Sequence, residues 1–76
     1  MLFRQLQYLA ALSQERHFGR AADRCHVFQP SLSSGIKQLE FSLQVPIVLR
    51  GRRFMGFTPE GERVVEWAKR VMSQRD

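Results

Sequence analysis

The chain has 76 residues, which is enough for one small domain and argues against an enzyme with a deep substrate cleft. Its 12 Lys and Arg against 7 Asp and Glu give a formal net charge of +5, and a surplus of this kind indicates a surface that binds a polyanion such as nucleic acid. On charge alone, a soluble domain with excess arginine is an equal alternative.

Compartment signals are few. A lone cysteine, Cys25, cannot form an internal disulfide, so the composition does not indicate an oxidising compartment. No apolar run approaches the ~20 residues of a membrane span, and the first residues lack the layout of a signal peptide. We therefore expect a cytoplasmic location.

The apolar spacing predicts two helices in the first third of the chain. A first helix over residues 2–15 has one apolar face, formed by Leu2, Phe3, Leu6, Leu9 and Ala10. A short second helix over residues 18–25 has the stripe Phe18, Ala21, Ala22 and Cys25. Because alanine side chains are small, they allow the close helix approach that a three-helix core requires.

A third helix, over residues 29–43, follows the turn at 26–28. Its inner stripe is Leu32, Ile36, Leu39 and Leu43. Pro30 suits the first helical turn, because the N–H that it lacks has no intrahelical partner there. A short helix, a tight turn and a second amphipathic helix together predict a helix-turn-helix.

Residues 48–58 are predicted to form a two-stranded hairpin, or wing. Pro46 excludes helix directly after the third helix, and the apolar residues 47–49 favour strand. The tip falls at 51–53, and Gly56 weakens the returning strand.

A fourth helix is predicted to begin at Thr58-Pro59-Glu60, because Thr is a favoured N-cap, Pro fits the first helical position and Glu suits the positive end of the helix dipole. Neither Gly nor Pro ends it before Asp76, which predicts a longer helix cut by the end of the chain. We accordingly expect a DNA-binding domain over residues 1–58 and a linker helix over residues 59–76.

The wing carries the most informative charges: Arg50, Arg52 and Arg53, without any acid between residues 48 and 58. Adjacent arginines at a tight tip project beyond the body of the domain, which suits contact with phosphates or a minor groove. The alternative is a hairpin tip that is simply solvated.

The outward face of the third helix is polar and low in relief. It carries Pro30, Ser33, Ser34 and Lys37, with Gln29 and Ser31 at the helix start. Free N–H groups at a helix N-terminus attract phosphate, glutamine can pair with an adenine edge, and lysine can reach guanine or phosphate. We expect this face to enter a major groove; the alternative is a solvated surface.

Other functions are not indicated. Cys25 lies on an inner stripe, where a structural thiol is the simpler interpretation, and the two histidines and one cysteine lack zinc spacing. The sequence has no catalytic triad, ligand set or phosphate loop, so we expect no enzyme, cofactor or metal. A winged-helix module for protein contact would need an apolar or acidic third helix and no basic wing.

Four blocks in order carry a resemblance to a known family: Phe-Gly-Arg-Ala-Ala at 18–22, Gln-Pro-Ser-Leu-Ser at 29–33, Ile-Lys-Gln-Leu-Glu at 36–40 followed by Arg50, and Thr-Pro-Glu-Gly at 58–61. Together they resemble the N-terminal domain of LysR-type bacterial transcriptional regulators. The resemblance implies a mainly α winged helix-turn-helix with a three-helix core, a two-stranded wing and a long linker helix. It also implies sequence-specific binding of double-stranded DNA, and a further domain, absent here, for a small-molecule inducer.

The resemblance also implies DNA contacts at particular positions. The groove-facing positions match Gln29, Pro30, Ser31, Ser33, Ser34 and Lys37, and the wing positions match Arg50 and Arg52. We add Arg20 from the first block and Arg53 from the wing tip. These ten residues are the predicted DNA-binding set.

Several positions depart from the family pattern. Phe28 stands where a serine often caps the recognition helix, which removes an acceptor worth roughly 1 kcal/mol. Gln44 replaces the glycine that usually ends this helix, Val48 replaces a common phenylalanine, and His17 replaces a common serine. The outward Phe41 adds exposed apolar surface.

The fourth helix is predicted to pair two copies of the chain. Its apolar stripe is Val64, Val65, Ala68, Val71 and Met72, flanked by Trp67. Because a small domain can cover only the first turns of this helix, we expect the turns around Val71 and Met72 to face water, and such a strip usually marks an interface.

The predicted dimer residues are Val64, Trp67, Ala68, Val71 and Met72. Two-fold pairing would place two recognition helices in major grooves about 34 Å apart. The alternative is that the stripe folds onto the chain's own core.

Overall fold

The computed structural model describes residues 2–73, and these form four helices: α1 (Leu2–Glu15), α2 (Phe18–Arg24), α3 (Gln29–Leu43) and α4 (Pro59–Ser73). The four predicted helices are confirmed, with α2 one residue shorter than predicted. α1 contacts each of the other three helices and so lies at the centre of the fold. The last three residues of the predicted 59–76 linker helix lie outside the described residues.

The core has two halves that share α1. One half packs Tyr8 and Leu12 of α1 against both helices of the helix-turn-helix. The other packs Leu6 and Leu9 of α1 against Leu39, Ile47, Val65 and Ala68. A single apolar stripe could not indicate the first half, because a central helix is covered on two sides.

Three expected core positions were wrong. Leu2 and Phe3 are each 48% exposed, because the first turn of α1 precedes its packed region. Leu43 is 37% exposed, because it lies in the last turn of α3, beyond the fully buried Leu39. The rest of the α3 stripe, Leu32 and Ile36, is buried as predicted.

Two glycines permit close packing between elements. A Cβ atom at Gly35 would lie 2.7 Å from the Tyr8 ring, so α3 can approach α1 here only without a side chain. A Cβ atom at Gly61 would collide with the backbone carbonyl of Ile47. Gly61 therefore lets α4 begin directly against the first strand of the wing.

The start of α4 agrees with its predicted cap. The Thr58 Oγ1 accepts a hydrogen bond from the Gly61 N–H at 2.8 Å and donates one to the Pro46 carbonyl at 2.6 Å. The same side chain thus caps the helix and ties it to the wing entry.

The predicted hairpin is a minimal ribbon. Among the described residues its ladder is one antiparallel bridge, between Val48 and Phe57, supported by the hydrogen bond from the Leu49 N–H to the Gly56 carbonyl at 3.0 Å. Gly56 has φ of 116°, a conformation that other residues rarely adopt, and it interrupts the returning strand.

The expectation that the later turns of α4 face water was wrong. Val71 and Met72 are half-buried against the second half of the core, because α4 lies along α1 and its last described turns still reach that helix. Ala68 is 0% exposed and so has no surface to offer a second copy, whereas Trp67 is 41% exposed.

None of the helices within residues 2–73 has the length and apolar character needed to cross a membrane.

Candidate nucleic-acid interface

The outward face of α3 lies in the open, as predicted. Gln29, Pro30, Ser31, Ser34 and Lys37 are exposed, and Ser33 is half-buried. The opposite side of the same helix carries Leu32, Ile36 and Leu39, none more than 1% exposed. The polar face is therefore presented by a helix whose back is fixed in the core.

The wing and α3 form the two walls of one open groove. Gln29, Ser33 and Lys37 line the α3 wall, and Arg50, Gly51 and Arg52 line the wing wall. The structure thus brings together five of the predicted residues from two segments of the chain. Arg53 is exposed at the tip, next to the groove.

Glu40 fixes the angle between these walls. Its carboxylate Oε2 accepts hydrogen bonds from the backbone N–H groups of Ile47 at 2.7 Å and Val48 at 3.1 Å. The last turns of α3 therefore hold the first strand of the wing directly. The sequence alone does not assign Glu40 this role, because its contact with the wing depends on how the chain folds back after Pro46.

Aromatic contacts hold the returning strand. The Phe54 ring packs edge-on against Phe18 at 6.0 Å and Phe57 at 5.0 Å between centroids. The Arg16 guanidinium lies 5.1 Å from the Phe54 centroid, in the range of a cation–π contact. The wing is thereby attached to α2 as well as to α3.

A further cationic residue, Arg4, lies on the side of α3 opposite the wing. Arg4 lines a shallow groove with Pro30, Ser31 and Ser34, so the first turn of α1 borders the predicted DNA-binding face. Arg4 is not in the predicted DNA-binding set, because the apolar pattern of the sequence assigns α1 to the core alone. Only the tertiary arrangement places this arginine beside α3.

Arg20 does not line the groove between α3 and the wing. Its guanidinium contacts the Glu15 carboxylate at 3.5 Å and donates to the Glu15 carbonyl at 3.2 Å. Arg24 contacts the same carboxylate at 2.9 Å. These exposed pairs contribute little to stability, but they hold Arg20 beside the end of α1.

The unusual cap residues have clear structural consequences. Phe28 is the N-cap of α3, and within residues 2–73 no side chain caps this helix start. His17 takes over the serine role at α2, where its Nδ1 accepts the Arg20 N–H at 3.1 Å. Gln44 adopts the left-handed conformation usual for glycine, with φ of 61°.

Cys25, the one cysteine of the sequence, is half-buried. Burial raises the pKa of the Cys25 thiol, and the charge of Arg24 offsets part of that rise. A raised pKa suits a structural thiol rather than a nucleophile. Among the described residues, no group of three or more His, Cys, Asp or Glu is placed to hold a metal ion.

Comparison with known proteins gives concordant matches. Residues 3–62 match the model of the family described as bacterial regulatory helix-turn-helix protein, lysR family. The chain is 47% identical over 74 residues to the hydrogen peroxide-inducible genes activator of Pectobacterium carotovorum subsp. carotovorum. The aligned segment covers 97% of this chain and 24% of that relative. The chain therefore spans about a quarter of that relative's length.

Solved structures agree with the sequence matches. A full-length OxyR variant from Pseudomonas aeruginosa superimposes with a TM-score of 0.89 and 49% identity, over 95% of this chain and 25% of the other. The CbnR DNA-binding domain in complex with DNA superimposes with a TM-score of 0.87 and 34% identity, over 96% of this chain and 84% of the other. The mainly α winged helix-turn-helix is thus confirmed.

Proposed function

We propose that this chain, which belongs to the LysR family of bacterial regulatory helix-turn-helix proteins, binds double-stranded DNA with sequence specificity. Through this binding it regulates transcription. One observation carries the proposal. The polar face of α3 and the arginines of the wing form one continuous groove, open to solvent and rich in hydrogen-bond donors. The match to the CbnR domain, solved on DNA, supports it.

The two walls of the groove take different parts of the duplex. α3 enters the major groove, where Gln29, Ser33 and Lys37 face base edges. Arg50, Arg52 and Arg53 contact phosphates or the adjacent minor groove.

Arg4 adds a phosphate contact on the opposite side of α3. Arg20 contributes to DNA affinity only if its guanidinium leaves the Glu15 carboxylate and contacts a phosphate instead. We therefore rank Arg20 below the wing arginines among the predicted contacts.

Selection of bound sites from random duplexes tests this function. We expect enrichment of one half-site, with affinity that falls steeply as salt rises, since cationic side chains release counterions from phosphates. Enrichment without any preferred sequence would contradict the proposed specificity, and retention that ignores salt would contradict the phosphate contacts.

We also propose that residues 1–58 carry DNA binding and that the segment 59–76, which contains α4, pairs two copies. Ala68 drops out of the predicted dimer set because it is buried within one chain. Val64, Trp67 and Val71 follow one another at i, i+3 and i+7, and Trp67 is the most exposed of the three. Pairing here would cover the Trp67 ring, and two-fold symmetry is the usual arrangement.

Sedimentation equilibrium of the chain beside its Trp67→Ala variant tests the pairing. The wild type should dimerise, the variant should shift toward monomer, and Arg70→Ala, an exposed change on the same helix, should behave as the wild type. A wild type that remains monomeric at high micromolar concentration would contradict pairing by this chain.

The relatives suggest the domain context and the cellular location of this activity. They are about four times as long as this chain, so we propose that an effector-binding domain in the longer protein conveys a small-molecule signal to the DNA-binding domain. Its place of action would be the bacterial cytoplasm, where the chromosome lies. This function includes no catalytic step.

A further inference from the structure

Two phenylalanines, one directly before α3 and one near its end, are almost fully open to water. Phe28 is 84% exposed and Phe41 is 77% exposed. Neither is part of either half of the core, so folding of this chain does not explain an aromatic residue at these two positions. They differ in position: Phe28 directly precedes the first turn of α3, and Phe41 lies near the end of the helix.

Phe28 lies at the end of α3 that is predicted to enter the groove. As N-cap it has an extended backbone, with φ of −78° and ψ of 152°, and it directly precedes Gln29. Neighbouring Cα atoms are about 3.8 Å apart, so the Phe28 ring can reach the surroundings of whatever Gln29 contacts. Phe41 lies about 20 Å further along the helix, beyond Lys37.

The chemistry of the ring narrows what it can contact. A phenyl group neither donates nor accepts a conventional hydrogen bond, and within residues 2–73 this helix start has no side-chain cap. Phe28 therefore gives up a capping acceptor without gaining a phosphate ligand. Among base edges in the major groove, the apolar group is the 5-methyl of thymine, which phenylalanine can contact.

The surface around Phe28 indicates which partner covers it. Gln29, Pro30 and Ser31 follow it on the exposed helix start, and Arg4 lines the groove beside Pro30 and Ser31. Positive charge and hydrogen-bond donors suit a polyanion with base edges. They do not form the extended apolar patch of a typical protein interface.

We propose that Phe28 is a specificity residue that recognises a thymine in the DNA site through contact with its 5-methyl group. This inference rests on the proposed DNA-binding function and names one base that the site should contain. The ring loses water contact when the helix enters the groove, and a thymine methyl at that place loses it as well. A cytosine or uracil there would leave the ring facing a polar edge or a gap.

Substitution of both sides of the contact tests the inference. Sites are first selected from random duplexes by the 76-residue wild type, by Phe28→Ser and by Phe41→Ser. Each thymine of the wild-type site is then replaced singly by deoxyuridine, which removes only the methyl group. Phe28→Ser should melt no lower than the wild type, because serine supplies a favoured N-cap.

The expected result is a thymine whose replacement by deoxyuridine weakens wild-type binding about fourfold, the equivalent of one buried methyl group. Phe28→Ser should lose this penalty and its preference for thymine at that position, while Phe41→Ser should keep both. Equal deoxyuridine penalties in the wild type and Phe28→Ser at every thymine would overturn the inference and leave the proposed function standing. A wild type that selects no sequence would overturn both.

Discussion

The two walls of the groove, α3 and the wing, are held in different ways. α3 stands on fully buried leucine and isoleucine side chains, including Leu32 and Leu39. The wing has one antiparallel bridge, the Glu40 carboxylate and the Phe54 ring contacts. The less firmly supported wall carries more positive charge: the wing has three arginines, whereas the polar face of α3 has one lysine.

This difference matches two kinds of DNA contact. Base edges are read by hydrogen bonds that need a fixed geometry, so their side chains belong on a rigid helix. Phosphate attraction acts over longer distances and tolerates small movements, so a lightly held hairpin with arginines can supply it. The account therefore assigns specificity to α3 and sequence-independent affinity to the wing.

Loss of the shared support should have the largest effect. Leu39→Ala removes a fully buried side chain from the half of the core that also contains Ile47 at the wing entry. We expect a loss of roughly 2–5 kcal/mol in the free energy of unfolding, measured by chemical denaturation. Leu43→Ala, at a 37% exposed position on the same helix, is the matched control and should cost much less. Equal losses would show that Leu39 does not support both walls.

Release of the wing from α3 should have the next largest effect. Glu40→Ala leaves the backbone N–H groups of Ile47 and Val48 without their carboxylate acceptor, at a cost of about 1–3 kcal/mol in stability. Because the wing angle then varies, binding to all duplexes should weaken. Glu62→Ala, an exposed acid on α4, controls for the removed charge. A Glu40→Ala variant that binds DNA as tightly as this control, or more tightly, would contradict the role in wing placement.

Changes on the α3 wall should alter specificity without unfolding the chain. Gln29→Ala or Ser33→Ala should cost roughly 1–3 kcal/mol on the preferred site and much less on random DNA. Neither residue belongs to the buried stripe, so the melting temperature should stay near that of the wild type. Fluorescence anisotropy on both duplexes measures the two losses, and equal losses would mean that these residues do not read bases.

Changes on the wing should have the smallest effect on specificity. Replacing Arg52 and Arg53 together by Ala should weaken binding to every duplex and flatten the log–log dependence of affinity on salt, by about 0.9 for each lost phosphate contact. Arg63→Ala and Arg70→Ala together, both exposed on α4, form a control with equal charge loss. An unchanged slope and affinity would remove the wing from the interface.

The sequence predicts local structure in this chain better than packing. Helix bounds follow from apolar period and cap residues, as Thr58 shows by capping α4. Burial of Tyr8 depends on α1 lying between two other parts of the chain, which a one-sided pattern cannot indicate. The half-buried state of Met72 likewise depends on α4 lying along α1.

The residues of the candidate site likewise fall into those that the sequence could predict and those that depend on tertiary packing. Residues on the α3 face could be predicted because helical spacing decides which side chains lie opposite the core. Arg4 and Glu40 could not be assigned roles. Arg4 lies beside residues of α3 that are far away in sequence, and the Glu40 contact depends on how the chain turns back after α3. The orientation of Arg20 toward Glu15 also depends on how the ends of α1 and α2 meet.

The most direct test of the division between α3 and wing compares two quantities in three proteins. The ratio of affinities for the preferred and random duplexes, and the salt slope of each, are measured for the wild type, Gln29→Ala and the Arg52→Ala, Arg53→Ala double variant. The account predicts that Gln29→Ala lowers the ratio and keeps the slope, whereas the double variant lowers the slope and keeps the ratio. Variants that both change the same quantity would contradict it.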